Sequence, residues 1–488
     1  MRDWLAIRAD ATPGATAVAA AADVETALSY AALDRRVETL AGRLAARGVG
    51  VDDTLAVCSA TGAEFVGLVH AAQRLGATLV PVDARATTGE LAARLDRVDP
   101  SAVVCEASTE AAVLEAVDGP ILSVDEPIEG AEGLETVQPE PFDLPEWAVD
   151  DPLVVMFTSG TTGDPNAVVL TLANVLASTA ASAFRLGLTP DDCWHVTLPM
   201  YHMGGLAPVY RSVVYGTALS VQRGFDPDAT LAALRTADAT CLSLVPTMLE
   251  RLLDAGPLPE LRFVLLGGAP CPPALLERAH DREVPVAPTY GMTEAASQIA
   301  TARPAVATDA PGSVGNPLMF AEVSVLDEAD VQCDPGERGE LVVSGAMVTP
   351  GYLDAGETEA AFCSAGLRTG DLGYRDEAGR LYVEGRTDDT VVTGGENVDP
   401  EEVASALRRH AAVADCAVVG LPDEEWGERV AALVVRDGEV TGAELRTHCR
   451  ERLADYKRPR TVGFASELPR TASGTVDREA VRGRLGED

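Results

Sequence analysis

The sequence predicts an α/β protein: a large N-terminal domain of two α/β sheet lobes plus a β subdomain, followed by a small α+β domain at the C-terminus. Three observations predict it. Short Val-rich runs alternate with Ala-rich helical patterns as far as Ala300, which implies a largely parallel sheet. From about Gly312 the texture changes to short alternating strands and turns, the mark of an antiparallel subdomain. After Arg386 a further helix-and-strand unit of about 100 residues begins, within the usual domain range. The expected boundaries are therefore 1–386 and 387–488.

The chain has 488 residues, more than one core holds. In chain order, Leu28 to Val49 spaces its apolar residues as a surface helix does and ends near a glycine. TLAVCSA (Thr54 to Ala60), ATLVPVDA (Ala77 to Ala84) and SAVVCEA (Ser101 to Ala107) read as buried strands. Val124 to Pro152, rich in Pro, Glu and Asp, reads as an irregular connection. Leu153 to Phe157 is a further buried strand. Beyond it, WHVTLPMYHMGGL, ATCLSLVPTMLERLL, LRFVLLGGAP and VPVAPTYGMTEAASQIA each read as a strand with informative residues at its carboxyl end, where open α/β sheets place ligands. The last of these is expected to turn into a helix after GMTE.

Composition excludes several classes of function. With 76 acidic and 38 basic residues the formal net charge is −38, which argues against nucleic acid or an anionic membrane as partner. The acid is spread along the whole chain, as suits a solvated surface at high salt, and a halophilic source is expected. Lys457 is the single lysine; every other basic residue is arginine. Nine cysteines without a CxxC pair make structural zinc and a disulfide framework poor expectations. No apolar run approaches a membrane span and no signal peptide opens the chain, so no membrane insertion and a cytoplasmic location are expected. A homo-oligomer is left open.

One stretch, FTSGTTGDPNAVVLTLANV (Phe157 to Val175), reads as a phosphate-gripping loop between an apolar run and a helix-like segment. Thr158, Ser159, Thr161 and Thr162 supply hydroxyl donors, while Gly160 and Gly163 let backbone N–H groups approach an anion. It is not a Walker loop, since no GKS or GKT follows.

FTSGTTGDP, LPMYHMGGL, LLGGAP, TYGMTEAASQ, RTGDLGYRD, GRTDD, GGENVDPEEV and LPRTASG stand in this order and cover most of the chain. Together they resemble the adenylate-forming superfamily of acyl-CoA ligases, luciferases and peptide-synthetase adenylation domains. Within it, PMYHMGGL, RSVVYG, TMLERLL and YGMTEAASQI most resemble the o-succinylbenzoate–CoA ligases of menaquinone biosynthesis. The resemblance implies two half-reactions. A substrate carboxylate attacks the α-phosphorus of ATP and releases pyrophosphate; coenzyme A then displaces AMP.

The same resemblance implies roles. Thr158 to Gly163 would hold the β- and γ-phosphates, and Glu294 would take Mg²⁺, a hard ion that prefers oxygen. Gly268, Ala269 and Pro270, with Tyr290, Gly291, Met292 and Thr293, resemble the walls of the adenine pocket. Asp371 suits the ribose hydroxyls, with Arg386 beside it. His202 would stand at the mouth of the acyl pocket, or be merely structural. Arg211, Ser297 and Gln298 are polar where a fatty-acid ligase is apolar, which suits an aromatic acid with a second carboxylate; the alternative is a surface pair at Arg211. Asp388 matches the family hinge, which implies that the small C-terminal domain is mobile, and Gly394, Gly395 and Glu396 match the loop presented to the pantetheine of coenzyme A.

The chain departs from the pattern at two positions. Asn166 and Thr475 stand where the family carries lysines. In one reading the protein is a degenerate ligand-binding member. In the other the lineage has shed lysine throughout, and Arg470, Arg478 or potassium supplies the charge; arginine is the broader, less easily deprotonated cation.

Overall fold

The computed structural model describes residues 3–21, 26–158, 166–387, 391–393, 396–398, 400–423, 426–450, 452–453, 455–471 and 474–486, with only the backbone described at 392, 396 and 397. The chain forms two compact units, Met1–Val323 with Val343–Leu367, and Ser324–Val342 with Arg368–Asp488. Residues 368–386 go with the second unit because their side chains and backbone are tied there. Arg368 pairs with Asp330 and Glu340, and the Thr369 hydroxyl donates to the Leu341 carbonyl at 2.7 Å.

The first unit contains two eight-stranded sheets, each parallel at its centre. One runs, in spatial order, Ser297–Thr301, Val286–Met292, Phe263–Leu266, Cys241–Leu244, Cys193–Val196, Ala218–Val221, Thr16–Val18 and Leu28–Ser29. The other runs Gly351–Tyr352, Asn166–Thr171, Pro152–Thr158, Thr78–Pro81, Thr54–Cys58, Ala102–Cys105, Ile121–Ser123 and Glu132–Gly133. Their central strands are buried along their length, as expected for parallel strands covered on both faces. Helices such as Tyr30–Ala45, Ala63–Leu75 and Met203–Tyr215 supply the cover, and Tyr30, Phe65, Leu68, Trp194 and Tyr210 share one core.

The first sheet is antiparallel at both edges and the second at one, and two of these antiparallel pairings correct the sequence reading. Pro152–Thr158 pairs antiparallel with Asn166–Thr171, Phe157 opposite Ala167 and Thr158 opposite Asn166. The hydroxyl-and-glycine stretch is therefore flanked by two strands rather than by a strand and a helix. The run AVVLT is β-branched and buried, and the helix Leu172–Leu186 starts only after it, at a Thr171/Asn174 capping box. Likewise, TEAASQIA does not open an α-helix. A three-residue 3₁₀ turn, Thr293–Ala295, leads into the strand Ser297–Thr301, antiparallel to Val286–Met292. Positive φ at Ala296 (51°) and Ser297 (124°) reverses the chain. Gly291 admits the returning strand: a Cβ there would stand 1.8 Å from the Ser297 carbonyl oxygen.

In the second unit a hairpin of Gly366–Arg375 and Leu381–Arg386 places Asp371 opposite Arg386. A five-stranded sheet follows, in the order Glu396–Val398, Val391–Thr393, Gly427–Arg436, Val413–Asp423, with Thr461–Ala465 parallel to Gly427–Arg436. Two apolar clusters pack on this sheet: one holds helices Pro400–Arg408 and Gly442–Arg450, the other helix Arg478–Gly486. Among the described residues no helix is long and apolar enough to cross a membrane.

Candidate active site

The strand Cys193–Val196 ends in a turn that runs into the helix Met203–Tyr215, with His202 as its N-cap. The glycines of YHMGGL serve packing. A Cβ on Gly205 would meet the Leu198 and Pro199 carbonyl oxygens at 2.4 Å, so only glycine lets the helix start against this turn. The His202 ring lies tilted on Tyr201, centroids 4.6 Å apart, and its buried Nε2 has no hydrogen-bond partner among the described residues. Burial pushes the imidazole pKa down, against the opposing charge of Asp83, so the ring is neutral at neutral pH.

Further along the same helix Arg211 turns inward. It is 2 % exposed, which removes the surface-pair alternative. Its Nη2 donates to Ser297 Oγ at 3.2 Å, and its guanidinium lies over the Trp194 ring, 5.3 Å from the centroid. Trp194 is itself fixed by an Nε1 bond to Ser243 Oγ (3.0 Å) and an edge contact with Phe263. Nε of Arg211 has no partner, and among the described residues no carboxylate pairs with the group. Burial alone lowers its pKa to about 9. An arginine held by a ring and one hydroxyl is a candidate anion site, since such a charge is costly to bury unless something compensates it.

The structure separates the two polar residues that follow. Ser297 joins Arg211, whereas Gln298, 1 % exposed, is committed elsewhere. Its Oε1 accepts from Ser182 Oγ at 2.5 Å and its Nε2 donates to Thr301 Oγ1 at 2.7 Å. Strand alternation is the reason: neighbours on Ser297–Thr301 face opposite sides.

Glu294, 7 % exposed, sits on the 3₁₀ turn between the two strands of the hairpin. Its Oε1 accepts the Tyr352 hydroxyl at 3.1 Å, and its carbonyl accepts the Thr349 N–H at 2.7 Å. Tyr290, Met292 and Thr293 are half-buried and Gly291 exposed along the same hairpin. Gly268, with φ of 79°, and Pro270 are exposed and Ala269 half-buried just past the strand Phe263–Leu266, so flat backbone is presented there. Thr158 is half-buried at its strand end; Ser159, Gly160, Thr161, Thr162 and Gly163 lie outside the described residues, as do Asp388, Gly394 and Gly395. Glu396 is described by its backbone alone, at the start of an edge strand.

In the second unit Arg386 Nη1 bonds Asp371 Oδ1 at 3.2 Å. Thr475 faces Thr471 across a small hairpin, their hydroxyl oxygens 2.6 Å apart. Arg470 gives Nη1 to the Gly474 carbonyl (3.0 Å) and Nη2 to Asp415 Oδ2 (2.9 Å), while Lys457 pairs with Glu402 at 2.6 Å. Arg478 opens the last helix. Of the two arginines expected to stand in for the missing lysine, Arg470 thus has an acidic partner.

Sequence reasoning missed Trp194, Thr349 and Tyr352. Trp194 could have been found as the large aromatic on the strand feeding His202. Nothing local marks Tyr352, whose contact with Glu294 spans 58 residues.

Comparison with known proteins identifies the family. A family profile described as AMP-binding enzyme matches residues 5–353, and one described as AMP-binding enzyme C-terminal domain matches residues 402–475. The chain is 37% identical over 487 residues to the 2-succinylbenzoate–CoA ligase of Bacillus cereus (strain ZK / E33L), covering 99% of this chain and 98% of that protein. Among solved structures it is similar to o-succinylbenzoate CoA synthetase (MenE) from Bacillus subtilis in complex with the acyl-adenylate intermediate OSB-AMP, with TM-score 0.89, 34% identity and coverage of 99% and 98%. The same Bacillus subtilis enzyme in complex with ATP and magnesium ion matches with TM-score 0.88, 34% identity and coverage of 100% and 99%.

Proposed function

The chain belongs to the AMP-binding enzyme family, and we propose that it is an acid–CoA ligase that converts o-succinylbenzoate to o-succinylbenzoyl-CoA through an acyl-adenylate, with release of pyrophosphate and AMP. One observation of the fold carries the substrate class: the buried guanidinium of Arg211, bound to Ser297 and without an acidic partner among the described residues. A substrate with a second carboxylate completes that site and restores the charge balance that folding leaves open.

The reactive carboxylate would lie toward His202, whose neutral imidazole offers hydrogen bonds without competing as a charge. The β- and γ-phosphates would lie against Thr158 to Gly163, the adenine against Gly268 to Pro270 and Tyr290 to Thr293, and the ribose hydroxyls against Asp371. Among the described residues no cluster of three or more His, Cys, Asp or Glu could cage a metal ion. A lone carboxylate such as Glu294 fits Mg²⁺, which keeps several waters and binds chiefly through substrate phosphates. An ion held by Glu294 would supply positive charge beside the phosphates. We assign Asp388 as the hinge and Gly394 to Glu396 as the loop that serves coenzyme A in the second half-reaction.

ATP–pyrophosphate exchange across a panel of acids tests this reading. We expect exchange with o-succinylbenzoate in molar KCl, as the net charge of −38 and the single lysine suit a high-salt surface. Exchange only with a different acid would replace the substrate, and none with any acid would favour the degenerate member that Thr475 allows. Because Arg470 already has an acidic partner, Thr475→Lys is expected to raise the adenylation rate while thioester formation from preformed adenylate stays unchanged.

A further inference from the structure

The segment from Thr349 to Tyr352 links two parts of the first unit that the chemistry must hold in register. Gly351 and Tyr352 pair antiparallel with Val169 and Val168, on the strand that leaves the phosphate-loop stretch. The Leu353 N–H adds a bond to the Ala167 carbonyl at 2.9 Å, and the Thr349 hydroxyl donates to the carbonyls of Val169 and Gly351. Thr358 closes the segment from the other side, its Oγ1 accepting the Tyr352 N–H at 2.9 Å. Gly351 permits this closeness, since a Cβ there would stand 2.5 Å from Thr358.

The same four residues reach Glu294 twice. Thr349 bonds its backbone carbonyl and the Tyr352 hydroxyl bonds its carboxylate. From this double anchorage we infer that Tyr352 is a positioning residue for the Glu294 carboxylate, fixing its orientation relative to the strand that follows the phosphate loop and thereby setting the affinity of the site for a divalent cation. The inference rests on the reading of Glu294 as the Mg²⁺ carboxylate. A carboxylate on a three-residue turn has free torsions, and a donor on one oxygen removes them before the ion arrives.

The test is Mn²⁺ titration of the full chain by electron paramagnetic resonance, with a non-hydrolysable ATP analogue present, for wild type, Tyr352→Phe and Glu294→Gln. Tyr352→Phe keeps the ring and removes only the hydroxyl. It is expected to weaken Mn²⁺ binding about tenfold, the effect of one hydrogen bond to a charged group, and to raise the Mg²⁺ concentration for half-maximal adenylation in parallel. Its rate at saturating Mg²⁺ and its urea midpoint should stay at wild-type values. Normal Mn²⁺ affinity in Tyr352→Phe beside weakened affinity in Glu294→Gln would overturn the inference and spare the metal assignment. Normal affinity in Glu294→Gln would overturn the assignment itself. A lowered rate in Tyr352→Phe at every Mg²⁺ concentration, with Mn²⁺ affinity unchanged, would show a role other than positioning the cation ligand.

Discussion

Arg74 and Arg211 are equally buried in the first unit, each 2 % exposed, yet folding treats them in opposite ways. Arg74, on the helix Ala63–Leu75, is surrounded by Asp3, Asp34 and Glu38 and bonds all three. Burial disfavours its charge, but the hydrogen bonds and charges of Asp3 and Asp34 outweigh that and hold the guanidinium above the ordinary arginine range. Arg211 meets a tryptophan face and a serine, and burial brings its pKa down to about 9. A buried charge that the fold neutralises belongs to the fold. One that the fold leaves uncompensated is complementary to something that arrives later.

The largest effect that could break this contrast is on stability. Arg74→Met strands three carboxylates, one of them buried, and is expected to cost about 3–5 kcal/mol in urea denaturation, with the specific activity of the folded fraction intact. A loss below about 1 kcal/mol would put the two arginines in one class. Next comes Arg211→Met, which removes a buried charge without orphaning an acid. Its stability should equal or exceed that of wild type, while kcat/KM for o-succinylbenzoate in the exchange assay falls by roughly 10²–10³, the effect of losing a desolvated charge partner. Exchange supported by a monocarboxylic aryl acid should change little. If both acids lose rate equally, Arg211 does not read the second carboxylate.

His70, one turn before Arg74, sharpens the comparison from the neutral side. It is fully buried, neither ring nitrogen has a partner among the described residues, and burial pushes its pKa down to about 4. The folded protein therefore keeps the ring neutral while the unfolded chain takes up a proton below about pH 6.5. Stability falls as pH drops from there towards 4, by up to about 3 kcal/mol from this residue. His70→Leu should flatten that part of the acid limb, read as the difference in urea midpoint between neutral pH and pH 4.5. An unchanged acid limb would show that the ring does not stay neutral.

Much of this was legible in the sequence. Alternating strand and helix patterns gave the parallel centres of both sheets, because burial on two faces leaves continuous apolar runs such as Thr54–Cys58 and Cys241–Leu244. Motif order gave the family. The two antiparallel turns were not legible, since TEAASQIA has ordinary helix formers and only Gly291 and two positive-φ residues reverse it. Ser297 and Gln298 looked equivalent as neighbours in the chain. Strand alternation then sent one to Arg211 and the other to Ser182 and Thr301.

By itself the sequence determined which elements form, which chemical groups are supplied, and where lysine is missing, at Asn166 and Thr475. These follow from local periodicity and residue type. Only the tertiary structure decided which groups meet. The Arg211–Ser297 bond joins residues 86 apart and the Tyr352–Glu294 bond residues 58 apart. No local pattern encodes such pairs, because they are set by how the strands stack into sheets and which face each residue then presents.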